Sequence, residues 1–231
     1  SLMVPLTKHL LPKLGVNQHM PCAYRYAPAS MQGLGIPHPY IEQGIEHIKH
    51  LTTHNKADTD SGKLLITTLD YLQLEIGTRQ PVLSASFRLF GHLATPSWIK
   101  YLWQFVDSAG ISLAAPNHIK IPKASRHNDS FLNDIVSAQQ LFSPPQLAAF
   151  NRVRLFYRVI TLADISTGDG LYIRDEFLVG SDRNNDFRSD YKWQIEHPQP
   201  SDYRTWRKGL NSLCNTPRHL RPEHRLGSWN N

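Results

Sequence analysis

Three groups of residues in this chain have types and spacings that could do chemistry. Asp164-Ile-Ser-Thr-Gly-Asp-Gly170 sets two carboxylates five residues apart, which could hold magnesium. The same stretch reads more simply as a turn: Asp169-Gly170 is a common turn pair, Gly168 can end a helix, and Ser166 or Thr167 can bond local backbone. His47, His50 and His54 share one side of a helical run, and a His pair four apart can chelate a divalent cation. Glu46 is adjacent but no third ligand stands out, so a solvated helix face is the preferred reading, with no metal and no cofactor expected. The third group is basic. Arg154 and Arg158 recur with Asn151 and Thr161 at three- and four-residue spacing, which sets two guanidinium forks one helical turn apart, a fit to phosphate oxygens. Ordinary surface or salt-bridged arginines are the alternative.

Further on, Trp206 lies among Arg204, Arg207 and Lys208, and aromatic residues interleaved with basic ones suit a single-strand or backbone contact. Trp98, by contrast, falls on an apolar face with Leu102 and reads as core. The candidate nucleic-acid contacts are therefore Arg154, Arg158, Arg204, Trp206, Arg207 and Lys208. No catalytic residue is proposed. A nucleophile elbow, a phosphate-cradling Gly-rich loop, zinc-finger spacing and the paired aspartates of polymerases after an aromatic residue are all missing from the sequence.

The elements that must position these residues are mostly helices. Ile41, Ile45, Ile48 and Leu51 share a face behind Pro37 and Pro39. Asp60 can cap a helix carrying Leu65, Leu69, Leu72 and Ile76, stopped by Gly77. Thr95-Pro96 opens a third, with Trp98, Leu102, Phe105 and Ala109 before Gly110. A short helix follows Asp129, and Ser143-Pro-Pro-Gln146 has the form of a capping box opening the longest helix, to about Ala163. Ser201 can cap a last short helix through Tyr203, Trp206 and Leu210. Alternation predicts an extended segment over 83–89, and a small hairpin from 171–179 and 191–195. The predicted fold is mainly α, bundle-like, with minor β-hairpin content and a flexible basic C-terminal tail from about residue 217.

Gln32-Gly-Leu-Gly-Ile-Pro37 is the remaining signal, following Leu10-Leu-Pro-Lys-Leu-Gly-Val-Asn-Gln-His-Met-Pro-Cys22 and preceding the helical run from Tyr40 to His54. Gly33 and Gly35 permit backbone angles that other residues resist, so they read as a structural turn. This stretch resembles the segment just after the palm of retroelement reverse transcriptases, where a Gly-Gly-Leu-Gly-like turn leads into a helix; Gln32 stands where relatives usually have the first glycine. Thr95 to Phe105, Phe150 to Gly170, Tyr191-Lys-Trp193 and Trp206 to Leu210 look like further blocks of such open reading frames. The resemblance implies a non-catalytic thumb and connection segment, with the polymerase chemistry of an RNA-directed DNA polymerase lying upstream in the parent polyprotein. It implies as partners an RNA or RNA-DNA duplex, gripped through its backbone, and the neighbouring polymerase domains of the same polyprotein. The implied divisions are 1–57, a palm-to-thumb joint with the first thumb-like helix; 58–200, a connection domain; and 201–231, a short helix and basic tail. A scaffold module without a ligand, a helix-turn-helix DNA-binding protein, and a metal-dependent nuclease using Asp164 and Asp169 are the rival readings.

Composition agrees with a folded, soluble, intracellular protein, in the cytoplasm or the nucleus. Of 231 residues 40% are hydrophobic, enough for a real core. No apolar run approaches the roughly 18 to 20 residues that span a bilayer, so no membrane partner is expected. Leu2 to Leu14 reads as the middle of a longer polypeptide. Cys22 and Cys214 form no Cys-Xaa-Xaa-Cys pair and read as free thiols of a reducing compartment. The net charge of +6 is uneven: residues 1–162 carry 15 Lys/Arg against 9 Asp/Glu, 163–200 carry 4 against 8, and 201–231 carry 6 against 2. Two basic regions thus flank an acidic one; basic surface attracts phosphate backbones by counterion release, and an ordinary solvated surface is the alternative.

Overall fold

Helix dominates the computed structural model, which describes residues 8–9, 11–55, 57–113, 126–179 and 197–229. Ten α-helices and one two-stranded hairpin occur among them. The chain forms two units, 1–54 and 55–231. Among the described residues no helix is long and apolar enough to cross a membrane.

The first unit holds α1 (Leu11–Lys13), α2 (Cys22–Tyr26) and α3 (Pro39–His54). Between α2 and α3 the chain doubles back on itself. Gln32 and Gly35 both take left-handed backbone angles, φ 62 and 61. The amides of Leu34, Gly35 and Ile36 then donate to the carbonyls of Tyr24, Ala27 and Arg25 at 2.9, 2.9 and 3.1 Å. Gly33 is pressed so closely on α2 that a Cβ there would sit 2.1 Å from the Ala27 oxygen. The Gly33 and Gly35 turn is thus a backbone-to-backbone seam, which only a residue without a side chain allows at 33.

The second unit begins with α4 (Asp60–Ile76), whose N-cap is Thr59, one residue before the expected Asp60: Thr59 Oγ1 accepts from Gly62 N at 3.2 Å. Next come α5 (Phe87–Phe90) and α6 (Trp98–Ala109), the latter capped by Ser97, which accepts from Lys100 N at 3.2 Å. The expected extended segment over 83–89 is instead a 3-10 turn, Val82–Ser84, followed by α5. Leu83 and Ala85 are buried between exposed Ser84 and Ser86, but the alternation breaks where α5 exposes Leu89 (41%) and buries Phe90, and the Ala85 carbonyl is taken by the Trp103 indole N–H at 2.7 Å.

α7 (Leu132–Ala138) leads to α8 (Pro144–Phe156), which opens at the predicted capping box, Ser143 N donating to Gln146 Oε1 at 3.0 Å. α8 stops at Phe156, well short of Ala163. Arg158 takes a left-handed φ of 54, Val159 N returns to Arg154 O at 3.1 Å, and a 3-10 turn covers Leu162–Asp164. α9 (Asp175–Val179) takes the second part of the expected 171–179 strand, and the 191–195 strand lies outside the described residues.

The last helix, α10 (Pro200–Ser212), packs on α8 within this same unit, so residues 201–229 are not a separate piece. The Trp206 ring lies 4.6 Å from Phe150, and Tyr157 lies 5.5 Å from Phe177, centroid to centroid. Each buried ring of this kind removes roughly 150–250 Å² from water, about 4–6 kcal/mol of apolar transfer. The hairpin pairs β1 (Cys214–Thr216) with β2 (His219–Leu220) in antiparallel register, Cys214 opposite Leu220.

Residues 217–229 were expected to be a flexible tail and are instead woven into the unit. Leu220 is fully buried and Leu226 is 5% exposed. Leu220 N donates to Leu171 O at 2.9 Å and Leu226 N to Gly170 O at 3.1 Å. Asn128 Nδ2 holds the Glu223 and Arg225 carbonyls at 3.0 and 2.9 Å, and Arg126 Nε holds Gly227 O at 2.9 Å. Few apolar side chains suffice here because other segments satisfy the backbone polar groups.

Candidate functional site

The six candidate contacts are not brought together. Arg154 has no exposed surface at all. Its Nη2 donates to Leu74 O and Glu75 O at 2.7 and 2.8 Å, Nη1 to Val159 O at 3.1 Å, and Nε to Asn151 Oδ1 at 2.7 Å. Asn133 Nδ2 adds bonds to Ile76 O and Asn151 Oδ1, each 2.8 Å, and Asn151 Nδ2 adds one to Glu75 O at 3.1 Å. Three side chains thus cap the carbonyl end of α4, where a positive charge also favours the helix dipole. Burial pulls the Arg154 pKa down to about 9, against the opposing pull of Glu75, Asp164 and Asp134, so the cation persists at neutral pH. Arg154 is a helix cap and offers no atom to a phosphate.

Gly77 completes that cap with φ 66, and a Cβ there would lie 2.7 Å from Arg154 Cζ. Arg158 lies beyond the end of α8 in a left-handed conformation, so the two guanidinium groups are not a stripe on one helix. Trp206 is corrected as well. It is fully buried, its indole N–H donating to Phe177 O at 2.7 Å, and no face is left for a base.

Arg204, Arg207 and Lys208 remain, all exposed on α10. The helix is fixed from beneath. Asp202, 3% exposed, accepts Arg152 Nη2 and Nε at 2.8 and 3.1 Å and caps Gln199 N at 2.9 Å. Burial alone would raise its carboxyl, but the Arg152 bonds and the Gln199 amide outweigh it and hold Asp202 below its ordinary value of 3.8. Tyr203, Trp206 and Leu210 bury the inner face. The outer face presents 204, 207 and 208 at three- and four-residue spacing, hence side by side. Lys208 Nζ rests 5.8 Å from the Phe142 ring centroid, and no described residue pairs with Arg204 or Arg207.

The two carboxylates of 164–170 serve local backbone. Asp164 Oδ2 accepts from Ile160 N and Thr161 N at 2.8 and 2.9 Å, and Asp169 Oδ1 accepts from Leu171 N at 3.0 Å. The Thr167 hydroxyl and Leu171 amide hold Asp169 below its ordinary value. His50 and His54 stand 4.5 Å apart on α3, and burial, then His50, lowers His47. Among the described residues no three His, Cys, Asp or Glu side chains are grouped so as to hold a metal ion.

Two features escaped the sequence reading. A cleft of about 640 Å³ is lined by Tyr71, Glu75, His92, Thr95, Asn151 and Arg152. Burial and then Glu75 raise the Tyr71 hydroxyl; burial and, more weakly, Lys100 lower His92 against a bond to the Pro144 backbone. Its charged groups are already engaged, Glu75 by the Thr95 amide and hydroxyl and Arg152 by Asp202. The second feature is a pair of exposed rings, Trp229 at 58% and Tyr172 at 40%. In the sequence Trp229 falls in the stretch read as a flexible tail and Tyr172 in the expected 171–179 strand, and neither stands out as a contact. No family model, no curated protein and no solved structure matches the chain.

Proposed function

We propose that this chain is a non-catalytic nucleic-acid-binding piece, the thumb and connection segment of a retroelement reverse transcriptase polyprotein, which holds an RNA or RNA-DNA duplex by its phosphates. The observation that carries the reading is the outer face of α10, where Arg204, Arg207 and Lys208 project from a helix whose other face is locked into the core. Locking the helix means that little order must be created on binding, and Arg forks add directional bonds to phosphate oxygens. Contacts of this kind read charge and helix shape and are blind to sequence. The family assignment rests on the resemblance of the Gln32 to Pro37 turn and the later blocks alone.

The test is a salt series with a blunt RNA-DNA duplex, for the intact chain and for the Arg204→Ala, Arg207→Ala, Lys208→Ala triple variant. Weaker binding and a log–log salt slope shallower by about two to three units are expected, since each lost phosphate contact removes about 0.9. Equal affinity and equal slope would overturn the reading.

A second reading, a module that docks a neighbouring domain of the polyprotein, is favoured by one observation. On α3, Ile41 is 47% and Ile45 37% exposed, one helical turn apart, with Tyr40 beside them at 43%. Retained duplex binding but lost association with an upstream polymerase domain in Ile41→Ser, Ile45→Ser would separate this role from the first.

A further inference from the structure

We infer that the C-terminal weave of the second unit carries a stacking platform for unpaired bases, formed by Trp229 and Tyr172, so that the nucleic acid bound is a duplex with a single-stranded extension. The inference rests on the nucleic-acid reading above but on different residues.

Each ring lies against a neighbouring side chain, Arg126 for Trp229 and His219 for Tyr172. The Arg126 guanidinium lies 4.9 Å from the Trp229 ring centroid, and the His219 ring lies 4.9 Å from Tyr172 at 39°. Arg126 is itself 4% exposed and held by Gly227 O and Thr167 O at 2.9 and 3.2 Å, so its contact on the indole is fixed while more than half of Trp229 stays open. Tyr172 is held by backbone: it forms an antiparallel bridge with His219, and its N–H donates to Thr167 Oγ1 at 3.1 Å while its carbonyl accepts from Thr167 N at 2.8 Å. Thr167 thereby joins the two mounts through Arg126 on one side and Tyr172 on the other.

The interior of this unit shows what rings do when they serve packing. Trp103 and Trp206 are fully buried, and each indole N–H has a carbonyl partner. Trp229 and Tyr172 are built differently: they are 58% and 40% exposed, and each ring has Arg126 or His219 against it. A flat π-face held still suits a nucleobase, because stacking needs no base identity and little order is lost on contact. Arg221 and Arg225, which follow β2 in the same weave, are exposed and half-buried, cations that complement the phosphates of the same strand.

The experiment compares three ligands at one salt concentration: a blunt RNA-DNA duplex, the same duplex with a pyrimidine overhang of about eight nucleotides, and that overhang made abasic so that its phosphates remain. The overhang is expected to tighten binding about tenfold or more, and the abasic overhang to lose most of the gain. Trp229→Leu and Tyr172→Leu should each remove much of the gain and leave blunt-duplex affinity unchanged, whereas Trp229→Phe should keep it. Retained gain in the abasic ligand or in both leucine variants would overturn the inference, as would no gain from the overhang, even with blunt duplex bound. Binding of overhang or free single strand without blunt-duplex binding would uphold the platform and sink the α10 reading instead. Thermal unfolding of each variant separates a lost platform from a lost fold.

Discussion

Arg154 on α8 and the Arg204, Arg207 and Lys208 row on α10 sit on two helices packed against each other, and they have opposite relations to solvent. Arg154 is fully enclosed and gives its N–H groups to Leu74, Glu75, Val159 and Asn151. Arg204 and Arg207 have no described partner and face water. The difference teaches that basic spacing on a helix says nothing about role until the neighbouring carbonyls are counted. A guanidinium beside the open end of another helix becomes a cap; the same group on the far side of a locked helix stays available.

The sharpest way to break the comparison is Arg154→Ala. Several backbone carbonyls would lose their donors in the interior and a cavity would open, so a loss of about 3–5 kcal/mol is expected by chemical denaturation. Affinity for duplex per folded molecule should not change; a stable variant with weakened binding would restore Arg154 as a contact.

Much of the framework was legible in the sequence. The apolar faces gave α3, α4 and α6, Gly77 and Gly110 marked two helix ends, and Ser143-Pro-Pro-Gln146 marked the start of α8. The end of α8 was not legible, because the residue that turns the chain is Arg158 and neither Gly nor Pro announces it. Burial of Arg154 was hidden for a related reason: arginine is almost never enclosed, and two of the carbonyls that satisfy it, Leu74 and Glu75, lie about 80 positions away. The exposed α10 row was legible, and the mistake beside it was Trp206, whose basic sequence neighbours all point the other way. Residues 217–229 misled by composition, since their order comes from Arg126 and Asn128 on a distant segment.

Asp202→Asn probes the underside of the α10 row. In the folded protein this carboxyl is held below 3.8, so it contributes stability above that value which is lost as pH falls through the lower folded one. The variant should lose about 1–3 kcal/mol at neutral pH and show a shallower decline under acid. Asp129 and Asp134 run the other way: burial raises both, so their favourable contribution is present below 3.8 and disappears as pH climbs through the raised values. Denaturation midpoints across pH for Asp129→Asn should therefore fall less between acid and neutral pH than those of the unaltered chain.

Gly77→Ala tests the closure of the Arg154 cap. With φ 66 and Arg154 Cζ 2.7 Å from the would-be Cβ, a loss of about 1–2 kcal/mol is expected in the same denaturation assay. The smallest effect belongs to the Arg204, Arg207, Lys208 triple alanine variant, which should shift stability by no more than about 0.5 kcal/mol. A larger shift would mean that the row supports the fold and would remove the contrast with Arg154.

The Arg154 cap also sets an order of events during synthesis. Leu74, Glu75 and Ile76 leave the ribosome long before the side chains that satisfy them, since the bonds from Asn133, Asn151 and Arg154 to those carbonyls span 57 to 80 positions. Until α7 and α8 emerge, the carbonyls of Leu74, Glu75 and Ile76 have only water as a partner. A nascent chain arrested before residue 133 should exchange the amides of the last α4 turn faster than the full chain does, since the packing that encloses the end of α4 is still to come. This domain therefore commits late, with one helix waiting half-finished for a guanidinium still to be translated.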